Sequence, residues 1–265
     1  MLYNLGAKIE PTASIELKTS HISVSVPNPM TAWRVDTFWE KEPDTLRWID
    51  TFKPDDLFVD IGANIGLYSL YAAISRGVEV IAFEPESLNY ALLNKNIFLN
   101  RIDKKIKAYP IALSNEISFD AIHLSQFIEG GSCHNFKEKL DFKHEILSPE
   151  FSQGCFSLTL DYLIEQKWIP VPQHIKIDVD GIEHKILEGA KHTLKNPDVR
   201  SLLVELNTNL SSHREMIEWM KENNFVYSVA RADQEQGLFE GILNHIFFRE
   251  PKSEWERHFS FASVS

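Results

Sequence analysis

Apolar residues fall in short continuous runs that alternate with helical periodicity from Asp55 to about Val204, the pattern of a parallel sheet with helices on its faces. The first run, Leu57 to Ile61, carries Asp60 and passes through Gly62 and Gly66 into a helix. That helix stops at Arg76-Gly77, where glycine can take the left-handed conformation that closes a helix. The second run, Val78 to Phe83, is followed at once by Glu84. A helix starting near Pro85 places Leu88, Ala91, Leu92 and Leu99 on a buried stripe and leaves Asn94, Lys95 and Asn96 for solvent. Ile106 to Leu113 reads as a third strand bent at Pro110, which has no N–H to give a sheet ladder.

The pattern is less regular from Ser114 to Phe156. Phe119 to Leu124 is strand-like, Gly130-Gly131-Ser132 marks a turn, and Lys137 to Glu145 is polar, so an insertion at about 126–153 is expected near the site. Order returns at His174 to Asp178, a strand followed by Asp180-Gly181 and a helix with Ile186, Leu187, Ala190 and Leu194 at helical spacing, ended by Pro197. Ser201 to Leu206 is a further strand. The helix after it carries Ser212 and Glu215 at capping-box spacing and turns Met216, Ile217 and Met220 inward. Phe225 to Ala230 and Asn244 to Arg249 are joined by a loop too short for a crossover helix, so they pair antiparallel. The expectation is a Rossmann-like α/β fold, a mostly parallel seven-stranded sheet with helices on both faces and an antiparallel edge strand. Residues 1–54 lack the alternation but contain Trp33, Phe38, Trp39 and Trp48, and read as an aromatic cap on a main domain of residues 55–265.

Composition narrows the partners. The 265 residues carry a net charge of −11, which opposes a nucleic-acid backbone or an anionic membrane as main partner. Met1 to Thr19 shows neither a secretory signal nor a membrane anchor, so a cytoplasmic location is expected. Cys133 and Cys155 have no metal-type spacing and read as reduced thiols. The ten histidines include no His-Glu-x-x-His pattern, since His144-Glu145 lacks its second histidine; no structural metal is expected, and use of a loosely held divalent ion is left open by the sequence.

The chemistry sits at the strand ends. Glycines allow close approach of backbone, a helix start offers N–H groups, and a carboxylate at a strand tip can accept ribose hydroxyls. Asp60, Gly62, Gly66 and Glu84 supply these in the spacing Asp-x-Gly-x-Asn-x-Gly, which differs from the Gly-x-Gly-x-x-Gly that seats a pyrophosphate and fits a nucleoside without phosphates. Asp178 ends a strand on the ligand-binding side of the sheet. It is the leading polar site residue, with helix capping as its alternative role and Asp180 better placed to cap. Glu205 and Asn207 face the same crevice from the next strand. His134, beside the glycine turn, is a candidate base from a loop where exposure is the ordinary state, and His184 is expected to face solvent.

Three blocks then carry a resemblance: Val59-Asp60-Ile61-Gly62-Ala63-Asn64-Ile65-Gly66-Leu67-Tyr68-Ser69, Ala82-Phe83-Glu84-Pro85, and Lys176-Ile177-Asp178-Val179-Asp180-Gly181-Ile182-Glu183 with Leu187-Glu188-Gly189-Ala190. From about Lys41-Glu42-Pro43 to Asn207 the chain resembles class I S-adenosylmethionine-dependent methyltransferases, and within them the FkbM family, which often has Glu where Asp180 stands. The resemblance implies that Asp60, Gly62, Ala63, Asn64, Gly66 and Tyr68 surround the methionine portion of S-adenosylmethionine. It further implies that Glu84 holds the ribose, Pro85 flanks the adenine, and Ala112 and Leu113 lie near that ring. Methyl transfer from a sulfonium is an in-line displacement, so Asp178, Glu205 and His134 are the candidates for handling the acceptor's proton, with Asp178 also a cofactor-binding candidate that could orient the donor's amino group or hold a metal. The implied acceptor is a hydroxyl on a sugar, glycan or small natural product. A nicotinamide-dependent oxidoreductase and a binding module without chemistry are the competing readings.

Overall fold

The computed structural model describes residues 11–139, 145–229 and 241–249, so the first ten residues, His144 and Ala230 lie outside it. The chain opens with a hairpin of β1 (Thr12–Glu16) and β2 (His21–Ser25), then α1 (Pro29–Asp36), α2 (Phe38–Lys41) and α3 (Pro43–Ile49). Asn28 caps α1 with a reciprocal pair of bonds to Thr31. β3 (Leu57–Ile61) follows, then α4 (Leu67–Tyr71), whose last turns widen to a π-helix over Ala72–Arg76 before Gly77 closes it in the left-handed conformation. β4 (Glu79–Phe83) leads to α5 (Ser87–Leu99), capped by the Glu86 carboxylate on the N–H groups of Leu88 and Asn89.

The third apolar run divides at Pro110 into β5 (Ile106–Tyr109) and β6 (Ala112–Leu113), which enter different sheets. β6 joins β7 (Ser118–Leu124), β8 (Asn135–Phe136) and β9 (Phe151–Leu158) in a four-stranded sheet of order β6-β9-β7-β8. The irregular stretch is therefore built as a second small sheet that sends the turn at Gly130-Gly131 toward the main one. The remaining elements are α6 (Leu160–Glu165), β10 (His174–Ile177), α7 (Glu183–Glu188), α8 (Lys191–Lys195), β11 (Ser201–Asn207), α9 (Ser211–Glu222), β12 (Phe225–Val229) and β13 (Ile242–Arg249).

The main sheet has seven strands in the order β12-β13-β11-β10-β3-β4-β5. The reversed strand, β13, lies one place in from the edge, antiparallel to both β11 and β12. Its run Ile246-Phe247-Phe248 is fully buried, as expected of a strand in a sheet covered on both faces. One face of the sheet packs Phe58, Val80 and Ala82 against α4, α5 and the N-terminal elements, including Trp48 and Phe38. The other packs Val59, Ile61 and Ile81 against α6 to α9.

Two expectations fail on geometry. Asn96 is fully buried rather than solvated: its Oδ1 accepts from Ser25 N–H at 2.9 Å and its Nδ2 donates to the Ile65 carbonyl at 2.9 Å, joining the hairpin to the glycine turn. Ser212 caps nothing, because α9 begins one residue earlier and Leu210 stands at the cap.

Candidate functional site

β3 sits between β10 and β4, and the chain leaves it in opposite directions on either side, so a crevice opens at the carboxyl ends of β3 and β10. Gly62 has φ +79°, and a Cβ there would lie 2.0 Å from the Asp178 carbonyl oxygen, so only glycine lets this turn press against β10. Asn64 holds a left-handed conformation at φ +51°. Its Oδ1 accepts from Ile65 N–H at 2.9 Å and its Nδ2 donates to the Gly131 carbonyl at 2.7 Å.

Asp60 and Lys176 are register partners on adjacent strands, which puts their side chains on one face. Both are 1% exposed. Ser69 Oγ donates to Asp60 Oδ2 at 2.6 Å, while Asp60 Oδ1 is buried with no hydrogen-bond partner among the described residues. Burial raises the Asp60 carboxyl above the usual range against the pull of Lys176 and Ser69. Lys176 Nζ lies 2.5 Å from Asp178 Oδ2 and 5.1 Å from the centre of the Tyr68 ring. Burial opposes the Lys176 charge, but Asp178, Glu42 and Asp60 outweigh it and hold the ammonium protonated. In return Lys176 and Lys41 overcome the burial of Asp178 and keep its carboxyl below the usual range. Glu42, bonded by Lys41 Nζ at 2.9 Å and Thr45 Oγ1 at 3.0 Å, closes the network.

Glu84 is buried, accepting the N–H groups of Asn64 at 2.7 Å and Glu86 at 2.9 Å on separate oxygens. Burial raises its carboxyl to about 8. The Pro85 carbonyl accepts from Gln153 Nε2 at 2.8 Å. Tyr68, Ala63 and Asn64 line the same cleft as Asp178, with Arg34, Lys41 and Glu42 opposite. Ala112 and Leu113 instead sit in the core around Leu158 and Phe136.

Several side chains depart from their expected settings. His134 is 9% exposed rather than solvated, with neither ring nitrogen hydrogen-bonded among the described residues, and burial followed by the Arg34 charge lowers it to about 4. Asp180 does not cap α7: it holds a left-handed conformation and its Oδ2 accepts from Cys133 N–H at 2.7 Å. Burial, then the Asp178 charge, raises it to about 6. His184 is half-buried, its Nδ1 lying 3.2 Å from His213 Nε2. Burial, with the charges of Asp178, Asp180, Glu183 and Glu42, pushes the Glu205 carboxyl well up. Sequence reasoning passed over Lys176, although its i, i+2 relation to Asp178 on a buried strand was a readable signal, as was the Lys41-Glu42 pair. Arg34 offered no such signal.

A segment of the small sheet lies over this turn. Asn28 Nδ2 donates to the Glu129 carbonyl at 3.0 Å, Arg34 Nε to the Gly130 carbonyl at 2.7 Å, and Asn89 both accepts from Gly130 N–H at 2.7 Å and donates to the Gly131 carbonyl at 3.1 Å. The cleft beneath has room for about 50 Å³. Ligand sites need roughly 300–1,000 Å³, so a nucleoside needs this cleft to widen, and the expected route is movement of residues 129–133, which are tethered to its lining residues Arg34 and Asn64. Asn89→Ala removes two of the tethers, and release of a nucleoside bound in the cleft is expected to quicken about tenfold. Stopped-flow displacement reads this, and an unchanged rate would show that the tethers do not gate the cleft.

The sequence matches the Methyltransferase FkbM domain over residues 60–227. It is 26% identical over 176 residues to the hexuronic acid methyltransferase AglP of Haloferax volcanii, covering 66% of each chain. It is 24% identical over 216 residues to the 31-O-demethyl-FK506 methyltransferase FkbM of Streptomyces tacrolimicus, covering 73% of this chain and 80% of that one. The crystal structure of an FkbM methyltransferase from Methylobacillus flagellatus superposes with a TM-score of 0.50 at 14% identity, covering 74% of this chain and 44% of that one. The chain thus spans under half of the solved protein and about two thirds of the first relative. With the family match running from Asp60 through the Asp178 strand to Tyr227, the chain belongs to the FkbM family of S-adenosylmethionine-dependent methyltransferases.

Proposed function

We propose that this chain transfers the methyl group of S-adenosylmethionine to a hydroxyl of a sugar or small natural product. The observation that carries the proposal is the Lys176–Asp178 ion pair at the strand end against which Gly62 is pressed, which keeps an ionised carboxylate in the cleft. The two relatives are named for methylating a hexuronic acid and an oxygen of a natural product.

The residues fit the donor. Asp60 Oδ1 is a buried acceptor without a donor among the described residues, suited to the methionyl ammonium, and such a cation would offset the burial that raises this carboxyl. Each Glu84 oxygen accepts one N–H and retains a lone pair for a ribose hydroxyl. When bound, S-adenosylmethionine supplies an electrophilic methyl on a sulfonium. Asp178 accepts the hydrogen bond of the attacking hydroxyl, aims its lone pair and takes the proton as the new C–O bond forms. A weak base suffices because a protonated ether is strongly acidic. Glu205, whose carboxyl burial pushes well up, is assigned as a donor to the acceptor molecule, and His134, neutral and with both ring nitrogens unengaged among the described residues, as the second proton acceptor. Pro85 flanks the adenine in this reading, and Ala112 and Leu113 support that side from the core.

The family match displaces nicotinamide-dependent redox chemistry. Incubation with labelled S-adenosylmethionine and a panel of free sugars, glycosides and macrolides tests the rest. Label in an ether-linked methyl is the expected result; donor binding without transfer to any hydroxyl would leave the binding-module reading. Among the described residues no helix is long and apolar enough to cross a membrane.

Titration gives a second test. Glu84 is raised to about 8 and Asp60 is raised too, so the ligand-free fold holds protons that the unfolded chain has already lost, and its stability falls as pH rises from about 4.5 toward 8. Donor binding favours the ionised forms, so affinity should climb with pH below 8, by at most about tenfold per unit for each proton released. Calorimetry at pH 6, 7 and 8.5 reads the slope, and a flat profile would contradict the placement of both acids.

A further inference from the structure

The cleft carries three cations and two carboxylates on its lining: Lys41 is paired with Glu42 and Lys176 with Asp178, which leaves Arg34 as the unmatched charge. Its Nε donates to the Gly130 carbonyl, and among the described residues no other hydrogen bond or ion pair engages the guanidinium, so its terminal nitrogens keep their donors. The residue is half-buried on α1. We propose that Arg34 receives a carboxylate of the acceptor, and that the favoured acceptors are sugar acids methylated on a hydroxyl near that carboxylate. This rests on the reading of the site as a sugar O-methyltransferase.

Two features place the anion on the acceptor rather than on the donor's own methionyl carboxylate. Arg34 comes from the N-terminal helices and bonds the segment over the cleft, the two elements that lie beyond the donor's strands. Its charge acts on His134 and Asp178, two groups assigned to the acceptor, and on Tyr68 at the border with the donor, whereas it is not among the influences on Asp60 or Glu84. A guanidinium also matches a carboxylate with two parallel donors, which lysine cannot reproduce.

The test compares methyl glucuronoside, methyl glucoside and glucose 6-phosphate as acceptors for the wild-type chain and for Arg34→Gln, whose carboxamide can still donate to Gly130. The expected kcat/KM preference of the wild type for the glucuronoside over the glucoside is about tenfold or more, collapsing to within about twofold in Arg34→Gln, with S-adenosylhomocysteine affinity changed by less than about threefold. Equal use of the neutral glucoside by the wild type, or a preference that survives Arg34→Gln, overturns the proposal while leaving sugar methylation standing. A preference for the phosphate overturns the carboxylate assignment. Loss of S-adenosylhomocysteine binding in Arg34→Gln with the acceptor preference intact would assign the residue to the donor. Calorimetry of the glucuronoside with the S-adenosylhomocysteine-loaded protein separates the two readings. Arg34-dependent binding without turnover sinks O-methylation but supports the carboxylate site, and absence of binding sinks the site.

Discussion

Asp178→Asn is expected to lower turnover by about 10²- to 10⁴-fold, the range for loss of a positioned proton acceptor. The same change removes a counter-ion from Lys176, whose side chain is 1% exposed. Breaking a buried pair from one side typically costs about 3–5 kcal/mol. The cost here belongs near the lower end, because the Asp178 side chain keeps 26% of its exposure and Glu42 also acts on the ammonium. The two consequences separate in a double variant. Lys176→Met added to Asp178→Asn should recover part of the lost melting temperature, since the buried ammonium is gone, Glu42 keeps Lys41 and Asp60, already raised by burial, can hold a proton, yet should not restore turnover. Recovery of activity along with stability would reduce Asp178 to a structural partner of Lys176.

Asp60→Ala is expected to weaken S-adenosylmethionine binding by about 100-fold or more, the scale of losing one side of a buried charge-assisted hydrogen bond. Folding should persist, because Asp178 and Glu42 still act on Lys176. Asp60→Asn sharpens the interpretation: it keeps an oxygen for the Ser69 hydroxyl but loses the charge that would meet an ammonium. Calorimetry reads both variants, and normal affinity in Asp60→Ala would place the methionyl group elsewhere.

The framework was legible because local chemistry and global fold agree in it. Asp60, Gly62 and Gly66 are fixed by a strand, a turn and a helix start within a few residues, and Glu84 by the end of the neighbouring strand, so short-range pattern suffices. What eluded the sequence depends on long-range contact. Asn96 reads as a surface residue of α5 until the hairpin supplies Ser25 as its partner. His134 reads as a loop histidine until the small sheet folds its segment over the cleft, a contact no periodicity encodes. Lys176 was half legible: its spacing to Asp178 on one strand face could be read, but its place beside Asp60 depends on the register of β10 against β3. The burial of β13 could have been read from Ile246-Phe247-Phe248, since three consecutive apolar residues in a strand mark burial on both faces.

The central claim is that Asp60 and Glu84, at the carboxyl ends of β3 and β4, hold the two ends of the methyl donor. A crystal structure of the S-adenosylhomocysteine complex tests it most directly. The account predicts the methionyl ammonium hydrogen-bonded to Asp60 and the ribose hydroxyls to Glu84, with residues 129–133 displaced from their present tethers. A ligand seated elsewhere, with Asp60 Oδ1 still unpartnered beneath a closed turn, would contradict it.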